Sequence, residues 1–369
     1  MKIGLLSYHK NYNYGWNLQC YALITVLKSM GHDVTLIDKR KFHNHKPYAR
    51  IKHAIKTICS IFLPRGRHIS YEKEQEYRGQ KIEVFFKNYI SPRTKVITSK
   101  SEYKTLPHFD ALVVGSDQVW RKKLVNPIFD YFFDFINYPV ILISYAASFG
   151  VDYAEYTDEE VRYCGNLIKK FKAVSVREQS GIKLIKDIYK WNCNPVVMPD
   201  PTLLLSSKDY NKIINKIPNK KVGLFCYILD KTKDKEKVVD ILSTTYSLNT
   251  HFIYLNDDNN PICPSVEEWL SSFRDADFVF TDSFHGCVFS IIYKKPFIAY
   301  GNVSRGLSRF TSLLNIFRQD YRLIKSSSDL DDLLLNRLRK VEYEEFDNIL
   351  KLLHSNATNF LSCNLKNNL

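Results

Sequence analysis

The sequence predicts an α/β protein built from two αβα domains that face each other across a cleft. Three observations carry this reading. Short apolar runs alternate with stretches of helical spacing from the first residues onward. Polar or small residues cluster just after the apolar runs, at the strand ends where open parallel sheets bind ligands. The alternation restarts after Pro201, and 369 residues suffice for about two domains, each with its own core. Hydrophobic residues make up 45% and charged residues 25%, which excludes a disordered chain, a collagen and a small disulfide scaffold.

The elements follow in order. Ile3–Tyr8 is a short apolar run, hence a buried strand. Residues 11–17 read as polar loop. Leu18, Tyr21, Ala22, Thr25 and Val26 follow helical spacing, and Gly31 supplies the stop. Val34–Ile37 completes a βαβ unit, which makes the sheet parallel. Further strands are Phe109–Val114, Val140–Tyr145, Ala173–Val176 and Val196–Met198. They lead into Gly115-Ser116-Asp117-Gln118, Ala146-Ala147-Ser148-Phe149-Gly150, Arg177-Glu178 and Pro199-Asp200-Pro201 respectively. Beyond a boundary at 201–207, Val222–Leu229, Phe252–Leu255, Phe278–Phe280 and Pro296–Tyr300 read as strands. Val266–Phe273, Val288–Tyr293, Asp329–Leu338 and Glu345–Leu361 read as helices, and Thr281–Gly286 as a turn. The result is two Rossmann-like domains, 1–205 and 206–369.

Charge and composition narrow the partners. Lys and Arg number 53 against 39 Asp and Glu, a net charge of +14 that favours an anionic partner. Twelve of the Lys/Arg fall between Lys39 and Lys81, against three Glu. Within this insertion Ile51, Ile55, Ile58, Cys59 and Phe62 share one helical face. The segment reads either as an amphipathic helix lying on an anionic membrane surface or as a solvated insertion whose stripe packs on its own domain. No helix-turn-helix or RNA-binding sheet pattern accompanies the charge, so nucleic acid is not expected. Glycine is scarce, 13 residues, and neither GxGxxG nor GxxxxGK[ST] occurs. Eight cysteines are scattered without a CxxC pair, and no histidine triad spacing emerges, so no metal site is expected. The apolar start is too short for a signal peptide, and residues 128–145 fall short of the ~20 apolar residues a membrane helix needs. The expected location is cytoplasmic, with peripheral contact to the inner membrane face if the basic segment lies on lipid.

Several residues could carry chemistry. Asp282-Ser283-Phe284-His285-Gly286 precedes a helix, where free N–H groups suit a phosphate and His285 could exchange protons near neutral pH. The alternative is that Asp282 or Ser283 only caps the helix and His285 only packs. Arg177 ends a strand and suits either an anion in forked geometry or an ion pair with Glu178 or another carboxylate. Asp117 could act as base toward a sugar hydroxyl with Trp120 as a ring platform, or cap a turn while Trp120 joins the core. Asn13, Gly15, Asn17 and Gln19 could read hydroxyls at the first strand's exit, or form side-chain turns. Arg305 and Arg309 would add positive charge near the cleft, or face solvent at a helix start.

Taken together, these motifs resemble the polysaccharide pyruvyltransferase family from about Ile3 to Leu314. The resemblance rests on the order of Asn13-Tyr14-Gly15-Trp16-Asn17-Leu18-Gln19, Gly115–Trp120, Ser144–Gly150, Ser175-Val176-Arg177-Glu178, Asp200-Pro201-Thr202 and Thr281–Gly286. It implies a glycosyltransferase-B-like fold, phosphoenolpyruvate as co-substrate with no cofactor, and a sugar diol that becomes a cyclic pyruvate ketal on a capsule or exopolysaccharide precursor. Arg177, His285 and Arg305 match family positions, whereas Ser283 stands where many members carry arginine. The roles implied are catalytic for His285 and Asp117, and donor-binding for Arg177, Arg305, Ser283, Asp282 and Gly286. Asn13, Gly15, Asn17, Gln118 and Trp120 would hold the acceptor, on the N-terminal side. A lipid diphosphate carrying that acceptor would suit the basic segment. Two other readings stand beside this one: a nucleotide-sugar glycosyltransferase of the same fold, and a non-catalytic carbohydrate-binding subunit.

Overall fold

A computed structural model describes residues 1–8, 13–40, 71–254, 262–301, 307–340 and 343–366. The first half runs β1 (Lys2–Leu6), α1 (Tyr14–Ser29), β2 (Asp33–Leu36), α2 (Tyr71–Arg78), α3 (Gln80–Tyr89), β3 (Ala111–Val114), β4 (Ile141–Ser144), α4 (Asp158–Ile168), β5 (Val174–Val176), α5 (Gln179–Lys183) and β6 (Pro195–Val197). A single 3-10 turn at Pro201–Leu204 leads to the second half. That half runs α6 (Ser207–Ile213), β7 (Gly223–Ile228), α7 (Lys233–Tyr246), β8 (Thr250–Tyr254), α8 (Val266–Asp275), β9 (Ala276–Thr281), α9 (Phe284–Ile292), β10 (Phe297–Tyr300), α10 (Leu307–Ile316), β11 (Leu323–Ile324), α11 (Asp332–Leu338) and α12 (Tyr343–Asn364).

Each half winds its sheet the same way. The first sheet has order β2-β1-β3-β4, and parallel bridges Ile143–Ala173 and Ala147–Val176 attach the β5–β6 pair beside it. The second has order β11-β10-β9-β7-β8. All pairs are parallel, as the βαβ grammar predicts. In both sheets the strand order reverses beside the first strand of the half, between β1 and β3 and between β7 and β9. A crevice opens at the carboxyl ends of such strands.

Two helix starts fall four residues before the periodicity puts them, for one reason. α1 begins at Tyr14, inside the stretch read as loop, because the Asn13 side chain accepts hydrogen bonds from the Gly15 N–H (2.9 Å) and the Trp16 N–H (3.4 Å). α9 begins at Phe284, inside the stretch read as turn, because the Ser283 hydroxyl accepts from the Gly286 N–H at 3.4 Å. Both caps lie outside the apolar pattern, so the pattern starts late. Asn17, His285 and Gly286 therefore sit on helices, not in loops.

One apolar core runs through both halves. Tyr14, at the start of α1, stacks on Trp269 of α8 (5.2 Å between ring centres) and donates its hydroxyl to the Pro264 carbonyl at 2.8 Å. α12 bridges the halves: Asp347 pairs with Lys294 at 2.7 Å and Phe346 packs on Phe317, while its far end packs against the 201–204 turn and Lys172 reaches the Lys366 carbonyl at 2.9 Å. The amphipathic stretch with Ile51, Ile55, Ile58, Cys59 and Phe62 lies outside the described residues. Among those described, no helix is long and apolar enough to cross a membrane, and Cys20, Cys164, Cys226, Cys263 and Cys287 are buried thiols.

Candidate active site

The site is organised by a buried carboxylate that the sequence reading assigned no role. Asp200 follows β6 and caps the 3-10 turn. Its Oδ1 accepts from the Thr202 N–H (3.1 Å) and hydroxyl (2.7 Å). Its Oδ2 accepts from Arg177 Nη1 at 2.8 Å and from the Ser116 hydroxyl at 3.3 Å. The same Oδ2 lies 3.6 Å from His285 Nε2. One carboxylate thus joins Arg177 of the first half to His285 of the second. Burial pushes the Asp200 carboxyl up, but His285, Arg177 and Thr202 outweigh it and hold it well below the usual carboxylate range. The sequence carried a signal for this role, since an Asp followed by Pro at the first helical position is a capping pattern.

Arg177 sits among three carboxylates. Besides Asp200, Glu178 lies 3.6 Å from its Nε and Asp117 lies 3.8 Å from its Nη2. Burial pulls the guanidinium down, but Asp200, Glu178 and Asp117 together hold it above its usual value. Glu178 is itself fixed by the Ser148 hydroxyl at 2.7 Å. Nε and Nη2 of Arg177 are buried without a hydrogen-bond partner among the described residues. The ion pair expected as the alternative is therefore present, and the wall is mixed in sign, not purely cationic. Asp117 stands at the exit of β3 with φ 73°, a left-handed conformation that Asp tolerates better than most residues.

His285 is gripped from two sides. Its Nε2 faces Asp200, while a β-carbon built on Gly15 would stand 2.0 Å from its Nδ1. The glycine is needed for this approach, since α1 and α9 meet there. Gly15→Ala is expected to push the imidazole away from Asp200, lowering turnover at least about tenfold while overpacking costs about 1–3 kcal/mol. Parallel assays of activity and thermal midpoint check this. Unchanged turnover would show that the imidazole's position is not needed.

The remaining predicted site residues separate into two groups. Asp282 is committed within its own half. Its carboxylate accepts from the Leu229 N–H (2.6 Å), the Asp230 N–H (3.1 Å) and Lys235 Nζ (2.6 Å), tying β9 to the exit of β7. Trp120 is core: its indole N–H donates to the Tyr131 carbonyl at 3.1 Å and its ring stacks on Phe132 at 5.1 Å. Both side chains are buried and their polar atoms are taken up within their own half. Gly286 is a packing position, where a β-carbon would meet Thr281 Oγ1 at 2.1 Å. Ser283 and Asn13 are caps, and Asn17 donates its amide to the Asn13 carbonyl at 2.9 Å. Gln19 donates to the Ser7 hydroxyl at 2.9 Å. Gln118 accepts from Arg121 Nη1 at 2.8 Å and lies against Gly150. Arg305 lies outside the described residues. Among the described residues no cluster of His, Cys, Asp and Glu could hold a metal ion.

Two doubly wound halves with one shared site at their strand ends define the class of protein: the fold is of the glycosyltransferase-B type. The structure is similar to that of a Listeria monocytogenes protein described as a UDP-N-acetylglucosamine 2-epimerase, at 10% identity and TM-score 0.53, over 98% of this chain and 94% of the other. The UDP-GlcNAc 2-epimerase of Neisseria meningitidis bound to UDP-GlcNAc aligns over 99% of both chains at 12% identity and TM-score 0.47. No curated protein matches the sequence significantly. The chain belongs to the polysaccharide pyruvyl transferase family, whose sequence profile matches residues 13–304.

Proposed function

We propose that the protein transfers pyruvate from phosphoenolpyruvate to two hydroxyls of a saccharide, forming a cyclic ketal during capsule or exopolysaccharide assembly. One observation carries the reading beyond family membership: His285 and Arg177, from opposite halves, meet on Asp200 at the carboxyl ends of both sheets. An imidazole beside a guanidinium is the pairing an enol phosphate requires, which supports the reading.

The chemistry follows from the residues in place. His285 protonates the methylene carbon, and the neighbouring carbon becomes electrophilic. One sugar hydroxyl attacks that carbon. Phosphate then leaves with the electron pair of its C–O bond, and the second hydroxyl closes the ring. The diol loses two protons, of which the methyl group keeps one and inorganic phosphate the other. Asp117 accepts a hydroxyl proton, and His285 Nε2, 3.6 Å from Asp200 and without a hydrogen-bond partner among the described residues, is the nitrogen that carries the proton. The acceptor in this reading is a saccharide on a lipid diphosphate at the inner membrane face, where a net charge of +14 favours an anionic surface.

A ligand that binds only the folded state raises thermal stability by mass action. Phosphoenolpyruvate is therefore expected to raise the thermal midpoint of the wild-type protein, and UDP-GlcNAc is not. The reverse result would favour the nucleotide-sugar glycosyltransferase. Release of inorganic phosphate from phosphoenolpyruvate with a saccharide acceptor would separate an enzyme from a binding subunit.

A further inference from the structure

The Phe284 ring collects two guanidiniums from different halves. Arg177 lies 4.8 Å from its centroid and Arg309 lies 5.8 Å from it. Arg309 reaches this place because α10 packs against α5, the helix that follows Arg177. The two arginines differ in how they are held. Arg177 is anchored by Asp200 at 2.8 Å and held above its usual value. Arg309 is drawn down to about 10, by burial and then by Arg177, against the upward pull of Glu178 and Asp117. Asp200, Glu178 and Asp117 balance the guanidiniums in charge, but Nε and Nη2 of Arg177 are buried without a hydrogen-bond partner among the described residues, so an anionic group beside the ring can be met from both halves. The residue two positions before His285 cannot supply this charge, since Ser283 is neutral and caps α9.

We propose that Arg309 is a donor-binding residue, and that it and Arg177 bracket an anionic end of the donor beside the Phe284 ring. Asp200 fixes Arg177 in this arrangement. Arg309 sets the preference for a small dianion over a donor whose charge lies elsewhere. This inference rests on the proposed phosphoenolpyruvate reading and goes beyond it in naming the residue on α10 that recognises the donor.

Calorimetric titration of phosphoenolpyruvate into the full-length wild type, Arg309→Gln and Arg309→Lys tests it, with steady-state kinetics on the same proteins. A lost hydrogen bond to a charged group predicts an affinity about 10- to 100-fold weaker for Arg309→Gln. Arg309→Lys should recover part of that loss, since it keeps the charge and loses the fork. KM for the donor should rise more than kcat falls, and inhibition by inorganic phosphate should weaken in parallel. Circular dichroism confirms folding, and the lysine variant decides the matter if the glutamine variant does not fold. Wild-type affinity in a folded Arg309 variant overturns the inference and leaves the proposed function standing. Failure of the wild type to bind phosphoenolpyruvate overturns the functional reading itself.

Discussion

Replacing His285 with alanine is expected to lower turnover about 10²–10⁴-fold while the fold persists, the range typical of a positioned acid–base group. The fold should persist because the neighbours keep their other bonds. Asp200 retains Arg177 at 2.8 Å, the Ser116 hydroxyl and both donors of Thr202. The Ser283 cap of α9 does not involve the imidazole. Activity and denaturant midpoint, measured together, check the claim. Wild-type-like turnover in the variant would remove the assignment and favour a binding subunit. A second arm uses coupling. In the His285→Ala background, Gly15→Ala should add little, because its methyl group would enter the space the ring has left. Contacting residues of this kind give non-additive cycles. Additive losses from the two substitutions would mean that Gly15 acts through something other than the imidazole.

Asp282→Ala is expected to destabilise the protein by about 3–5 kcal/mol, the usual penalty for stranding one member of a buried ion pair. Lys235 and Asp282 are both buried, and Nζ lies 2.6 Å from the carboxylate. Lys235 also donates to the Asp230 carbonyl at 2.7 Å and lies 5.2 Å from the Tyr300 ring centre, so it cannot turn to solvent without breaking further contacts. The substitution also removes the acceptor for two backbone N–H groups, those of Leu229 and Asp230. Urea unfolding gives the loss directly. Asp282→Leu combined with Lys235→Met should recover much of it, since no charge is then left stranded. An Asp282→Ala protein with a wild-type midpoint but no binding of phosphoenolpyruvate would restore the donor-binding role that its place before His285 suggests.

These two residues show how neighbours in sequence diverge in use. Asp282 and His285 belong to one motif, and in sequence the two read as one phosphate-binding turn. Helix geometry separates them: Asp282 stays at the strand end and faces the β7 exit, while His285 enters the first turn of α9 and faces the other half. Asp200 shows the converse. In sequence it is one member of a motif with no role of its own, and in the fold it is the carboxylate on which Arg177 and His285 converge.

The sequence by itself determined the alternation of strands and helices, the parallel sheets, the restart after Pro201 and the placing of polar residues at strand ends. Those properties are local, because period, apolar content and breakers act within a few residues of themselves. By family pattern it also singled out Arg177 and His285, which the fold brings to one carboxylate. Only the tertiary structure decided which groups touch: that Gly15 bears on His285, that Arg309 shares a ring with Arg177, that Trp120 is core and that α12 returns to the first half. The reason is physical. Those contacts depend on how two separately wound sheets dock, and the docking is fixed by side chains far apart in the chain, such as Tyr14 against Trp269, whose pairing no local pattern records.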